Sequence, residues 1–369
     1  MALARQGSTR EGALSERRDA LTPEGERFPP RRHALQYFAA EPPGVGAARS
    51  IVDGVQWLRI PLPMELNHIN VWLLDDGERW MLVDTGMPAD VCRDAWLLLE
   101  ERVLGGRPLG RILVTHDHPD HMGLSTWLAE RHGADLWMSG PAYRGAQDFV
   151  SADPAAIGER VRAFMRSHGV EMASAPMLPR GDRDRWFDRV APLAASPVDG
   201  ELIEAGLGRW IVVETAGHCR GHLCLYDAER RLLISGDQVL PGISPNVSVL
   251  SSAPEANPLR EFLASLERLV ECDPRSLVLP SHGRPFVGLD RRLEELAGHH
   301  RQQLAALRDS CFEPRTAFEV LPTMFRLVPR GFHRLLAIGE AVAHLNYLCG
   351  EGLLRKFTDG DGIVRYVAV

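Results

Sequence analysis

The stretch Thr115-His116-Asp117-His118-Pro119-Asp120-His121 follows directly on the apolar run Arg111-Ile112-Leu113-Val114, and its reading decides the fold. A run of branched aliphatic residues reads as a buried strand, and Pro119 suits the first turn of a helix, so the seven residues form a rigid loop between the two. His116, His118, Asp120 and His121 place four ligand-type residues in six positions. A zinc-type ion takes neutral imidazole nitrogen and carboxylate oxygen at about 2.0–2.2 Å. His116 and His118 are two apart and can face the same way as the strand ends, while Asp120 and His121 leave the helical turn in another direction. One loop can therefore feed two metals.

Working outward, the loop alone cannot complete two coordination shells, and further candidates stand at other strand ends. His218 follows Arg209–Gly217, Asp237 follows Leu232–Gly236, and His282 follows Leu277–Ser281. His299 and His300 are weaker competitors for the place of His282, because they lie in a helical pattern. His222 and Tyr226 come soon after His218, close enough to orient a ligand or substrate. Cys219 reads as a small packing residue rather than a thiolate ligand.

The surrounding pattern is mixed α/β. Residues 54–62, 70–76 and 79–86 are strand-like runs broken by turn residues, and a helix is predicted over Ala89–Val103, with Val91, Ala95, Leu98 and Leu99 at helical spacing. Residues 1–48 are expected to be a flexible N-terminal tail, 49–310 the catalytic domain, and about 141–197 a helical insertion within it. Phe149, Val161, Phe164, Met165, Met172, Met177 and Leu178 of that insertion could line an apolar mouth or simply pack its own core. Residues 311–369 read as helices followed by a hairpin turned at Asp359-Gly360-Asp361-Gly362, a winged-helix-like appendage.

Composition excludes several classes of function. The 369 residues are 45% hydrophobic and 25% charged, an ordinary globular balance. Forty-two Lys+Arg against 49 Asp+Glu give a net charge of −7, which offers no bulk attraction to nucleic acid or an anionic membrane. Lys356 is the only lysine. The six cysteines contain no CxxC pair and read as reduced thiols. With no signal-peptide pattern near the N-terminus and no long apolar span, a cytoplasmic protein without membrane insertion is expected.

The ordered set Asp84 in VDTG, HxHxDH at 116–121, His218 in TAGHCRGH, Asp237 in SGD and His282 in SHG resembles the metallo-β-lactamase superfamily over about residues 51–310. The resemblance implies an αββα sandwich with a metal pair at its edge. It implies His116, His118 and His218 on one ion, Asp120, His121 and His282 on the other, and Asp237 bridging them. Asp84 then accepts an imidazole N–H and fixes its tautomer, with His222 as a further supporting residue. The implied cofactors are two divalent ions, Zn2+ first, with iron or manganese as alternatives.

A water held between two such ions is acidified toward neutrality, so the expected chemistry is hydrolysis by a metal-bridging hydroxide, with Asp120 as the catalytic residue guiding the proton. His118 stands where di-iron redox relatives carry Glu. His121 is present where many β-lactamase relatives lack a histidine, and the short interval from Asp237 to His282 leaves no room for the cap of the superfamily's nucleases. The C-terminal run resembles that of glyoxalase II and thioesterase relatives and of an endoribonuclease.

The expected substrate is a small molecule, a thioester of coenzyme A, an acyl carrier or glutathione. A lactone and an RNA are the alternatives. No Arg or Lys falls between Ala341 and Cys349, and 311–369 holds seven basic against six acidic residues, so packing or homodimerisation is the better role for the appendage than nucleic-acid reading.

Overall fold

The computed structural model describes residues 35–171 and 189–369. Met172, Met177 and Leu178 lie outside the described residues, as does residue range 1–34. In chain order, the first half contains β1 (Gln36–Tyr37), β2 (Ala48–Val52), β3 (Val55–Pro61), β4 (His68–Asp76), β5 (Arg79–Val83), α1 (Asp90–Arg102), β6 (Leu109–Val114), α2 (Pro119–Met122), α3 (Ser125–His132) and β7 (Asp135–Met138). The insertion supplies α4 (Gly140–Ser151), α5 (Pro154–Ser167) and β8 (Leu193–Ala195). The second half contains β9 (Leu202–Ala205), β10 (Gly208–Thr215), β11 (His222–Asp227), β12 (Leu232–Gly236), α6 (Pro258–Leu269), β13 (Leu277–Pro280) and β14 (Phe286–Val287). It continues with α7 (Leu289–Ser310), α8 (Leu321–Met324), α9 (Gly331–Gly350), β15 (Leu354–Thr358) and β16 (Val364–Ala368).

Among the described residues the strands form two seven-stranded sheets and one two-stranded hairpin. The sheets run β2-β3-β4-β5-β6-β7-β8 and β1-β14-β13-β12-β11-β10-β9, and the hairpin is β15-β16. The alternation along each strand explains the layering. In β4, Trp72 and Leu74 point into the core between the sheets, whereas Ile69, Val71 and Leu73 point to the helices outside. In β12, Leu232 and Ile234 meet the first sheet and Leu233 meets the helices on the other side. Successive side chains of a strand face opposite ways, so a strand apolar at every position must be covered twice. The result is an αββα sandwich. Each fully buried Val, Leu or Ile in these layers contributes about 1.5–3 kcal/mol.

Strands β5, β6, β7 and β8 are parallel neighbours, as are β12 and β13, and these pairings bring the strand ends together. Asp84 directly follows β5, His116 lies just beyond β6, Asp237 directly follows β12, and His282 lies just beyond β13. Loops at the carboxyl ends of parallel strands are where open α/β sheets build their sites.

Two expectations are corrected and one open alternative is decided. The stretch 35–48 is not wholly a tail: β1 pairs antiparallel with β14, and Phe38 N–H donates to Pro285 O at 2.8 Å. The free edge of β14 supplies the partners, and a two-residue strand is too short to show a period. β8, within the expected helical insertion, joins the edge of the first sheet for the same reason. Of the side chains considered for an apolar mouth, Val161, Phe164 and Met165 are buried in the core shared with α6, α7 and α9, and Phe149 is half-buried against the helix layer of the first sheet. The apolar face of α5 is consumed in packing.

The C-terminal region is docked rather than free. Ala337, Ile338, Ala341, Val342, Leu345 and Leu348 of α9 are buried against α6, α7 and the second sheet, leaving no long face for a nucleic-acid groove. No helix of the described residues is long and apolar enough to cross a membrane.

Candidate metal centre

Two groups of ligand-type side chains meet at the sandwich edge. His116, His118, His218 and Asp237 form one, and Asp120, His121 and His282 the other; within each, the candidate ligand atoms lie within 4.8 Å of one another. His116 Nε2 and His218 Nε2 stand 3.3 Å apart. His282 Nε2 is 3.3 Å from Asp120 Oδ2, and His121 Nε2 is 3.7 Å from it. Asp237 lies between the groups: Oδ2 is 3.6 Å from His218 Nε2, and Oδ1 is 3.5 Å from both His121 Nε2 and His282 Nε2. Two donors bound at about 2.0–2.1 Å and the tetrahedral angle to one ion stand about 3.3–3.4 Å apart, so these separations are those of coordination shells.

The other ring nitrogens are already engaged. His121 Nδ1 donates to Asp84 Oδ2 at 2.8 Å, His218 Nδ1 to Asn246 O at 2.8 Å, and His282 Nδ1 to His68 O at 2.8 Å. A proton fixed on Nδ1 leaves Nε2 as a lone pair aimed into the site. His121 Nε2, His282 Nε2 and Asp237 Oδ1 are buried with no hydrogen-bond partner, a costly arrangement unless a cation completes it.

Electrostatics agree. Burial lowers His116 and His222 well below the ordinary imidazole value and takes His118 down to about 3, so these rings are neutral. Burial would also lower His121, but Asp237, Asp84 and Asp120 around it raise it well above that value. Burial would raise Asp120, yet the His121 and His282 rings beside it bring the carboxyl down to about 2. The carboxylates call for positive charge where the Nε2 atoms meet. A divalent ion bound there would supply it and would displace the proton that the metal-free site holds on His121.

Supporting residues hold this geometry. Asp84 sits at φ 63°, a left-handed conformation tolerated by Asp, and accepts the Thr115 N–H at 2.8 Å and the Thr115 hydroxyl at 2.9 Å. Thr115 Oγ1 is 3.1 Å from His116 Nδ1, so Asp84 steadies His121 directly and His116 through Thr115. His222 is buried behind the site: its Nδ1 donates to Thr215 Oγ1 at 3.0 Å, and its Nε2 accepts the Asp237 N–H at 3.1 Å. Gly236 makes room for that ring, since a Cβ there would lie 2.4 Å from His222 Nε2.

The structure thus brings together all seven expected ligand residues, with Asp84 and His222 behind them. It does not bring Tyr226, whose hydroxyl accepts from the Asp273 N–H, nor His299 and His300; His300 pairs instead with His344 at 3.0 Å. The Cys219 thiol donates to Asp117 Oδ1 at 2.6 Å and belongs to neither ligand group. Thr115 was not singled out, although a hydroxyl beside the first histidine is a readable signal. His68 and Asn246 act through main-chain carbonyls and leave no side-chain signature.

The sequence profile of the Metallo-beta-lactamase superfamily matches residues 64–282, more than half of the chain. The chain belongs to that superfamily. A second profile, the metallo-beta-lactamase-like C-terminal domain, matches residues 304–369. Among superfamily structures, a beta-lactamase domain protein from Burkholderia ambifaria is 36% identical, covers 91% of this chain and 99% of its own, and superposes with a TM-score of 0.80. Among curated relatives, the Bacillus subtilis protein named "Probable metallo-hydrolase YqjP" is 26% identical over 83% of this chain and 95% of its own length. The chicken protein named acyl-coenzyme A thioesterase MBLAC2 is 29% identical over 72% of this chain and 87% of its own. A metal-dependent hydrolase is the class these relatives share with the site.

Proposed function

We propose that the chain is a dinuclear, zinc-type hydrolase of acyl thioesters, with acyl-coenzyme A as the substrate class. The observation that carries the metal reading is the convergence of His121 Nε2, His282 Nε2 and Asp237 Oδ1, buried and unpartnered, beside the three-histidine group. His116, His118 and His218 would hold one ion, Asp120, His121 and His282 the other, and the two oxygens of Asp237 would reach both. Bound divalent ions supply an acidified water and polarise the carbonyl oxygen.

The chain's residues provide the remainder. Thioester hydrolysis joins water oxygen to the acyl carbon, breaks the C–S bond and delivers one proton to the departing sulfur. Asp120, held ionised, is the group assigned to carry that proton, and Asp84 and His222 keep the ligands aimed. The thioesterase relatives favour a thioester over a lactone, and the burial of α9 weighs against RNA.

The test is a parallel turnover assay on acyl-CoA and glutathione thioesters, lactones and single-stranded RNA, with metal content measured on the same sample. Thioester turnover that is lost in Asp120→Asn is the expected result. RNA cleavage without thioester turnover would refute the substrate class while leaving the metal centre in place.

A further inference from the structure

His218 is the one histidine of its group oriented by a loop that leans on the C-terminal helix. Its Nδ1 donates to Asn246 O, and from there the contacts run outward to α9. The Ser248 hydroxyl shares its proton between Asn246 Oδ1 at 2.7 Å and Leu336 O at 3.0 Å. The Val249 N–H donates to Gly339 O at 3.0 Å. Farther along, Asn346 Nδ2 donates to Pro254 O and Ala256 O, both at 2.9 Å. From the other helix, the Arg292 guanidinium of α7 donates to Leu240 O and, at 2.8 Å, to Ile243 O. The whole segment between Asp237 and α6 is thus strapped to α7 and α9.

Helix and loop pack tightly at Gly339. A Cβ there would lie 2.8 Å from Val249 O and 2.9 Å from Ser248 Cβ, so helix and loop meet backbone to backbone with no space for a side chain. Val247 and Val249 are buried on the same core as Ile338 and Val342, which leaves the loop no direction in which to yield cheaply.

We infer that α9 is part of the metal centre: Gly339 and Ser248 are positioning residues that set the Asn246 carbonyl and, through it, the aim of His218 Nε2. The C-terminal region is then a buttress for the ion held by His116, His118 and His218, and the ion held by Asp120, His121 and His282 does not depend on it. His282 is oriented by the His68 carbonyl and His121 by Asp84, both from the first sheet. The inference rests on the metal reading above and goes beyond it by assigning one ion to the C-terminal helix.

The experiment measures ions bound per chain and their dissociation constants by chelator competition, with Co2+ spectra as a signature of the coordination shell. The proteins are the full-length wild type, Gly339→Ala, Ser248→Ala and, as a control, Gly298→Ala in α7, where the only atom near an added Cβ is Arg301 Nη2 at 3.9 Å. Outer partners of a metal-bound histidine are typically worth about 10–100-fold in affinity. One ion is expected to weaken by about that factor in Gly339→Ala and by a smaller factor in Ser248→Ala, with an altered Co2+ spectrum, while the other ion and the control stay at wild-type affinity. Ser248→Ala adds no atom and decides the matter where Gly339→Ala does not fold. Unchanged affinity for both ions in folded Ser248→Ala and Gly339→Ala overturns this inference alone. A wild-type chain that binds no ion overturns the metal reading with it.

Discussion

Glu340 offers a sharp test of the packing around α9, because its replacement is expected to stabilise the protein. The carboxyl is half-buried in α9, flanked by Gly339 and Ala341 with the His344 ring one turn on, and no ion pair forms with it among the described residues. Burial pushes it up from 4.5 to about 7. A carboxyl whose folded pKa is raised binds its proton more tightly in the native state, so its contribution is fully present below pH 4.5 and is lost as pH rises through 7. At about 1.36 kcal/mol per pH unit, the loss between pH 5 and pH 8 is about 2–3 kcal/mol. Glu340→Gln keeps the shape and a comparable helix propensity but removes the ionisation. Its stability relative to wild type should therefore climb by about 2–3 kcal/mol over that range. Urea unfolding of both proteins with chelator present, at half-unit steps of pH, reads the difference directly, and the metal ligands titrate alike in both and drop out. A difference that is flat with pH, or one that falls as pH rises, would refute the burial argument.

The opposite sign is expected four residues along at His344, which burial takes from 6.5 down to about 4: wild type should lose about 3 kcal/mol more than His344→Gln as pH falls from 7 to 4, measured by the same unfolding series. Asp84→Asn keeps a residue suited to the left-handed backbone but can turn an amide N–H toward His121 Nδ1. The ring would then carry its proton on Nε2, and the affinity of one ion should fall about 10–100-fold in chelator competition while the fold persists. Gly236→Ala places a Cβ against the His222 ring at a positive φ, so a drop of at least about 1–3 kcal/mol in stability and weaker binding of both ions are expected, checked by unfolding and metal analysis together.

Much of the site was legible because its chemistry is carried by side chains at strand ends. A ligand-type side chain at or just beyond the end of an apolar run can be read directly in His116, His218, Asp237 and His282, the crowding of His118, Asp120 and His121 beside the first of them is as plain, and the family pattern sorts all seven into two shells. What stayed hidden has a common physical form. The His68 and Asn246 carbonyls orient ligands through groups that every residue possesses, so composition and spacing carry no trace of them. β1 and β8 are too short to display alternation, and only a free sheet edge makes them strands. The apolar residues of α5 were readable as a stripe, but a stripe does not say whether it meets substrate or core. Packing against the C-terminal region decides that Val161, Phe164 and Met165 belong to the core.

These hidden contacts explain why a site seven residues wide needs so much of the chain. Two sheets each deliver ligands from one edge, and a ligand delivered from a loop is only as precise as the carbonyl or carboxylate that holds its second nitrogen. On the first sheet that hold is short: Asp84 reaches His121 in one hydrogen bond, and His68 reaches His282 in one. On the second sheet, the segment after β12 runs without helix or strand as far as α6, and the carbonyl that aims His218 lies in a stretch held by contacts from α7 and α9. A loop of that length would otherwise sample several positions at small cost, and a displacement of a few tenths of an ångström at Nε2 is enough to weaken a bond of about 2.0–2.1 Å. The C-terminal helices therefore act on the metal centre by removing freedom from one ligand, and the buried stretches Ala337–Gly339 and Ala341–Asn346 of α9 carry that contact.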